Sequence, residues 1–276
     1  MLEDVAPMLA CPHCGGPLGL TGRTLRCPGN HAFDQARQGY VSLLGGRGAV
    51  GPGDTAEMVA ARAEFLAAGH YAPISTALAA AAAKVHDGGP VLDIGAGTGH
   101  YLARVLDELP AAPGIALDVS KYASRRAAKA HPRAAAVLAD AWRALPVRDG
   151  AIGTALNVFA PRNAAETHRV LRPGGHLVVV TPNPGHLAEL VAELGLLTVD
   201  EHKRQRLTDQ LAAHFTPLAT ETREFALHLT GPEITTLVGM GPNAWHEGGS
   251  RASRIAELTT PFRVTASVAV SVHRRR

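Results

Sequence analysis

The stretch that most constrains this chain is residues 91–100, VLDIGAGTGH. Two apolar residues, Val91 and Leu92, lead to Asp93, and the chain then places glycine at alternate positions, Gly95, Gly97 and Gly99. A buried strand that breaks into glycines, whose lack of Cβ lets the backbone turn tightly, is the pattern of a nucleotide-cofactor loop. A dinucleotide fingerprint would need its third glycine at position 100, which is His. A carboxylate at Asp93, two residues before the first glycine, instead suits the cationic amine of S-adenosylmethionine. A second apolar run, 114–117, ends at Asp118, 19 positions after Gly99, where a second strand tip would meet a ribose diol. The loop by itself also fits any tight strand–helix turn, and only further features separate the two readings.

Downstream, apolar runs alternate with helical segments. Strands are expected at 91–94, 115–117, 135–139, 153–158 and 176–181, which predicts a doubly wound, mostly parallel α/β sheet with ligands at the strand C-termini. Asp140, after the third strand, could accept a hydrogen bond from an adenine amino group or cap a helix. The fourth strand ends near Asn157, with residues 158–161 at its tip. The turn LRPGG, 171–175, feeds the fifth strand and is common in adenosylmethionine-dependent methyltransferases. Residues 218–229 and 262–273 alternate with a period near two and are expected to pair as antiparallel final strands. Upstream, Asp54 or Thr55 caps a helix over 56–67 that stops at Gly69; His70 and Tyr71 precede the next helix, 74–85.

All three cysteines lie in the first 27 residues, as Cys11, Cys14 and Cys27, and His31 follows. Three thiolates and an imidazole at Cys-x2-Cys-x12-Cys-x3-His spacing form a closed tetrahedral set for a structural Zn2+. An odd cysteine count, clustered at metal spacing, is a poor disulfide framework. His13 inside the knuckle ranks below His31 as a ligand on steric grounds. Residues 1–38 are read as a zinc-binding module, 39–54 as a glycine-rich linker, and 55–276 as the cofactor-binding domain.

The net charge of +3 is compatible with a polyanionic partner and insufficient to show one. Cations cluster at Lys121, Arg125, Arg126, Lys129 and Arg133, in a helix expected to stop before Pro132, and again at Lys203, Arg204 and Arg206; Arg37 and Arg47 lie near the zinc module. Each cluster is more often a solvated face than a phosphate track. No stretch of about 18 apolar residues and no secretory leader pattern is found, so a cytoplasmic protein with no membrane partner is expected.

Together the motifs resemble the RlmA family of rRNA guanine-N1 methyltransferases over essentially the whole length. The residues that carry the resemblance are Cys-Pro-His-Cys at 11–14, Cys27 with His31, FDQARQGYVSLL at 33–44, the 52–74 run ending GHYAPI, VLDIGAGTGHY at 91–101, LDVSK at 117–121, NVFAPR at 157–162, VLRPGG at 170–175 and MGPNAWH at 240–246. NVFAPRN and MGPNAWH look closest to the actinomycete tylosin-resistance branch. The resemblance implies a Rossmann-like class I methyltransferase with a zinc module and S-adenosyl-L-methionine as cofactor. It also implies a homodimer and, as substrate, a guanine in a 23S rRNA hairpin lining the peptide exit tunnel. It implies cofactor contacts at Tyr71, Gly95, Gly97, Thr98, Asp118, Asp140 and His186. With Asp93, Gly99, His100 and Asn157 these make up the expected cofactor set. Asn157 stands where enteric members carry Arg, and is the candidate for holding the guanine edge; Trp245 and His246 are a candidate stacking pair. Two other functions are weighed: a small-molecule methyltransferase, which has little use for a zinc knuckle, and an RNA-binding adaptor with a vestigial cofactor site, against which the intact glycine loop argues.

Overall fold

Strands that are apolar at every position can be buried on both faces only inside a sheet with helices on either side. The computed structural model describes residues 1–45, 53–196, 209–241 and 249–276, and builds such a sheet. The chain starts with a short helix, α1 (Leu2–Val5), then a small antiparallel sheet of β1 (Gly19–Thr21), β2 (Thr24–Arg26) and β3 (Ala32–Asp34). Next come β4 (Val41–Ser42), α2 (Ala56–Ala67), α3 (Ala72–Val85), β5 (Val91–Ile94), α4 (His100–Glu108), β6 (Gly114–Asp118) and α5 (Lys121–Ala127). The chain continues through β7 (Ala134–Leu138), β8 (Ile152–Val158), α6 (Ala164–Val170), β9 (Leu171–Pro182), α7 (Ala188–Leu194) and β10 (Phe215–Leu229). It ends with α8 (Gly231–Gly239), α9 (Gly249–Glu257) and β11 (Phe262–Arg275).

The large sheet has the order β10-β11-β9-β8-β5-β6-β7-β4. Strands β4 to β9 are parallel neighbours, and β11 and β10 are antiparallel, which is the doubly wound arrangement with antiparallel last strands expected from the sequence. The order reverses at β5, so its C-terminal end faces a crevice, the usual ligand position of such sheets. Thr55 is the cap of α2: its side chain accepts the Met58 N–H. The LRPGG segment is an irregular start of β9 rather than a free turn. Its pairing with β8 skips from Ile152–Leu171 to Thr154–His176, with Gly174 at φ +76°.

Two differences from expectation bear on function. First, β4 falls in the segment read as the linker, where it adds an edge strand beside β7. The N-terminal segment is also bolted to the sheet: Ala10 N–H donates to Pro146 O (3.0 Å), Arg148 N–H to Met8 O (2.8 Å), and Val5, Leu9 and Leu25 share one apolar core with Leu92, Ile115 and Val137. Second, α5 stops at Ala127, five residues before Pro132: the Lys129 N–H donates to Arg126 O (2.9 Å) and the Ala130 N–H to Ala127 O (3.1 Å), three residues back each time, so the chain tightens into a turn. Arg133 beyond it is no phosphate-tracking cation. Its guanidinium donates to the carbonyls of Leu106, Leu109 and Ala112, closing the C-terminal end of α4. Charged hydrogen bonds of this kind contribute about 1.5–3 kcal/mol, and a cation there opposes the negative end of the helix dipole. Arg133→Met is expected to lower the melting temperature by several degrees in a thermal unfolding scan while leaving RNA affinity unchanged.

Candidate active site

The C-terminal ends of β5, β6, β7 and β8 surround a cavity of about 380 Å³. Its floor is the loop after β5, with Gly95, Ala96, Gly97 and Thr98; one wall carries Asp118, another Asp140, Ala141 and Trp142, and a third the turn Val158–Pro161 after β8. Helices α2 and α8 close the top through Arg62, Leu66 and Met240. The glycines are fixed by φ values of +77°, +55° and +79° at Gly95, Gly97 and Gly99, the left-handed region where a Cβ is strained. Contacts add a second reason at two of them. A Cβ on Gly95 would lie 2.5 Å from Ala160 Cβ, so the loop and the β8 turn touch; one on Gly99 would lie 3.0 Å from Ala127 Cα, so Gly99 serves the packing against the end of α5.

Of the expected set, Tyr71, Gly95, Gly97, Thr98, Asp118 and Asp140 line the cavity. Asp118 accepts the N–H of Gly97 and of Ser120, both at 2.8 Å. Asp140 accepts the Trp142 N–H at 2.9 Å. Tyr71 lies 3.4 Å through its hydroxyl from His186 Nε2. Because the Ser267 N–H donates to His186 Nδ1 (3.1 Å), the ring proton sits on Nε2 and points at Tyr71. Burial lowers the His186 pKa to about 4, so this ring is neutral at physiological pH, and burial raises that of Tyr71, so its hydroxyl stays protonated.

Five expected residues are not on the wall, the first being His186, which stands behind Tyr71. His100 turns toward α3, where Nε2 lies 3.0 Å from Ser75 Oγ. Gly99 faces α5, as above. Asn157 is buried under the β8 turn: its amide donates to Pro161 O (2.7 Å) and Ile94 O (3.4 Å), and its oxygen accepts from Arg162 Nε (3.1 Å). It therefore shapes the turn and presents no free edge to the cavity. Asp93 lies beneath the floor, 1% exposed, with Oδ1 lacking any hydrogen-bond partner. Burial, and then the neighbouring charge of Asp118, raise its pKa to about 7.

Sequence reasoning missed Arg62, Trp142 and Met240, and placed Phe159 at the tip of the fourth strand without giving its ring a role. Arg62 is the one basic side chain lining the cavity among the described residues. It pairs with Asp54, donates to Met240 O at 2.7 Å, and would stand 3.4 Å from a Cβ on Gly97. An isolated arginine in the middle of α2 gives no sequence signal of its own. Trp245, His246, Arg47, Lys203, Arg204 and Arg206 lie outside the described residues.

The cysteine set behaves as a metal centre. The Cys11–Cys14 knuckle is closed by Gly15 N–H to Cys11 O, and the Cys27–His31 knuckle by Asn30 N–H to Cys27 O and Cys27 N–H to His31 O. His31 Nδ1 stands 3.5 Å from Cys11 Sγ and 3.3 Å from Cys27 Sγ, and Cys14 Sγ is 3.6 Å from Cys27 Sγ. Tetrahedral zinc with ordinary Zn–S and Zn–N lengths needs ligand–ligand edges of about 3.5–3.8 Å, so the four atoms fit a closed structural Zn2+ site. His13 instead stacks on Phe33 at 5.7 Å.

Comparison with known proteins agrees with this geometry. Residues 9–46 match the family described as RlmA, N-terminal, and residues 91–175 the family described as Methyltransferase domain. The chain is 52% identical to the 23S rRNA (guanine(748)-N(1))-methyltransferase of Streptomyces fradiae, over 99% of each chain. It is 53% identical, again over 99% of each chain, to a Micromonospora griseorubida protein named for 23S rRNA guanine-N1 methyl transfer. A similarly named Bacillus subtilis protein is 30% identical over 91% of this chain and 92% of its own. Among solved structures, a chain of the complex between the Haloferax volcanii Trm112 methyltransferase activator and a methyltransferase superposes with a TM-score of 0.52 at 18% identity, over 81% of this chain and 98% of that one. That likeness concerns the fold.

Purified protein should hold about one zinc per chain by elemental analysis, and Cys27→Ser should lose it and lower the melting temperature of the whole chain, since Cys27 belongs to the shared core. Asp93 has a folded-state pKa above its unfolded value, so its contribution to stability is fully present below about pH 4 and is lost as pH rises through about 7. Asp93→Asn should therefore gain stability over wild type from pH 5 to pH 8, by on the order of 2–4 kcal/mol at the upper end in urea unfolding. An equal difference at both pH values would contradict the buried-charge account.

Proposed function

The chain belongs to the RlmA family of 23S rRNA (guanine-N1)-methyltransferases, and from that premise we propose that it transfers a methyl group from S-adenosyl-L-methionine to N1 of a guanine in a 23S rRNA hairpin. The observation that carries the reading is the cavity in which the glycine floor and the β8 turn meet, at Gly95 and Ala160. A methyl donor on the floor and an acceptor on the turn would be neighbours.

The residues present fit the cofactor. S-adenosylmethionine supplies an electrophilic methyl on a sulfonium, together with an amine, a carboxylate, a ribose diol and an adenine. Asp118 offers carboxylate oxygens to the diol, and Asp140 an acceptor to the adenine amino group. Arg62 is the counter-charge for the carboxylate, and the buried charge of Asp93 acts on the amine from beneath the floor. Tyr71 is held by His186 with its hydroxyl proton directed away from that ring, free to donate into the cavity. The wall facing the acceptor, Val158–Pro161, carries no ionisable side chain. The N1 proton that methylation displaces therefore leaves to water and not to a side chain of this wall, and the chain's part in catalysis is to position two reactants, a contribution that reaches about 7–11 kcal/mol in favourable cases.

The RNA is expected to lie along a cationic face. Lys121, Arg125 and Arg126 are exposed on α5 and Lys129 just beyond it, and Gly39, two residues after exposed Arg37, would put a Cβ 3.2 Å from Ala128 at the end of α5. The zinc module and α5 thereby form one basic track. A cytoplasmic location, a homodimeric assembly and a contribution to resistance against tylosin-type macrolides belong to the same reading; no described helix is long and apolar enough to cross a membrane.

Methylation of naked 23S rRNA with labelled cofactor should give N1-methylguanine at the position corresponding to guanine 748, the base in the name of the Streptomyces relative. Calorimetry should show Asp118→Ala weakening S-adenosylhomocysteine about ten- to hundredfold. Arg62→Met should weaken S-adenosylhomocysteine about tenfold and leave 5′-methylthioadenosine, which lacks the carboxylate, unaffected. Label found only in small molecules, or equal loss for both ligands, would contradict these assignments.

A further inference from the structure

We propose that Phe159 is the stacking platform for the guanine that receives the methyl group. The proposal rests on the methyltransferase reading above and adds the residue that holds the acceptor base.

The first observation is conformational. Phe159 adopts φ +52°, in the left-handed region. For a bulky residue this conformation is strained, and such strain persists only where the surroundings over-determine it. Here they do. Asn157 binds Pro161 O and Ile94 O from below, Phe159 N–H donates to Val180 O at 3.2 Å, and Ala160 is pressed against Gly95. The result is to push one ring out from the end of a strand whose own residues, Ile152–Val158, are all buried.

The second observation is exposure. Phe159 is 42% exposed although it lines the cavity, while Val158 before it is 7% exposed. An aromatic side chain held in water at the mouth of a cavity loses the burial that normally favours it, unless a ligand restores that burial.

The third observation is what backs the ring. His186 stacks on it with centroids 6.0 Å apart and planes at 29°, and Tyr71 stands 6.3 Å away. Because His186 is neutral, the ring is supported by an uncharged partner instead of a cation competing for its π face. A flat, rigid, half-exposed ring on the cavity wall, one residue before the Ala160 that meets the floor at Gly95, is complementary to a purine. A base extruded from a hairpin trades its lost intrastrand stacking for this face. Methyl transfer to N1 requires the guanine edge to point at the floor. Stacking fixes the plane of the base and leaves that edge free, so the same contact serves binding and orientation.

The test compares Phe159→Leu, which keeps apolar volume without a π face, and Phe159→Tyr, which keeps the ring, using wild-type protein as the reference. The substrate is an RNA hairpin transcribed from the region of the guanine corresponding to position 748. The expected result is that Phe159→Leu lowers kcat/KM for the hairpin about tenfold or more. Phe159→Tyr stays within about twofold of wild type, and both variants bind S-adenosylhomocysteine with wild-type affinity. With 2-aminopurine in place of the target guanine, emission should change on binding to wild type, as the base leaves its neighbours for the ring, and should stay near that of the free hairpin with Phe159→Leu. An active wild type with a Phe159→Leu variant of equal kcat/KM and equal 2-aminopurine emission overturns the platform and leaves the function standing. Equal loss in the Leu and Tyr variants also overturns it, because a ring would then not be what matters. Absence of methyl transfer to the hairpin by wild type removes the functional reading and the platform with it.

Discussion

The active end of this molecule depends on a carboxylate buried where it has no partner. Asp93 lies in a strand that is apolar and covered on both sides, its Oδ1 accepts no hydrogen bond, and the carboxylate of Asp118 raises its pKa further. Leaving such a group in place opposes folding, and a charged carboxylate in that environment is costly until a cation arrives. Asp118 is partly relieved by the N–H groups of Gly97 and Ser120. Asp93 has no such relief. The site is therefore poised for a ligand that brings positive charge to the floor of the cavity, which is what the amine and sulfonium of S-adenosylmethionine provide.

The two functional parts of the chain are mechanically one. The zinc knuckles hold a three-stranded sheet too small for a core of its own, and Cys11 and Cys27 face the same apolar cluster as Leu92 and Val137 of the large sheet. Loss of zinc would thus be felt at β7 and β4, and removal of residues 1–38 would uncover apolar surface beneath the cofactor sheet. This coupling gives the module a structural role alongside any role in gripping RNA. It also explains why β4 lies at the sheet edge: it carries the chain out of the zinc module as part of the sheet.

Much of this fold is legible in the sequence alone. Strand–glycine–helix alternation, Asp118 at a strand tip and the cysteine spacing are local patterns, and local patterns survive in sequence. The rest escapes for a common physical reason. Cavity walls assembled from distant segments leave no local trace: Arg62 and Met240 meet across 178 positions, and Tyr71 and His186 across 115. Asn157 and His100 mislead because a polar residue beside a motif reads the same whether it faces ligand or packs inward. In the fold, Asn157 ties down a turn and His100 meets Ser75. Arg133 belongs to a cationic run in sequence, yet its charge serves the end of α4. The left-handed backbone of Phe159 carries no residue signature at all.

The central claim is that Asp93 is a carboxylate kept near neutrality by burial until a cationic cofactor ionises it. Site-resolved carbon-13 NMR titration of Asp93 tests this directly, in the free protein and with S-adenosylmethionine bound. The account predicts a midpoint of about 7 in the free protein and a fall of at least about one pH unit when the cofactor binds, as expected when a cation approaches within a few ångströms of a carboxylate. A free-protein midpoint in the ordinary aspartate range of about 4, or one that does not move on binding, would contradict it.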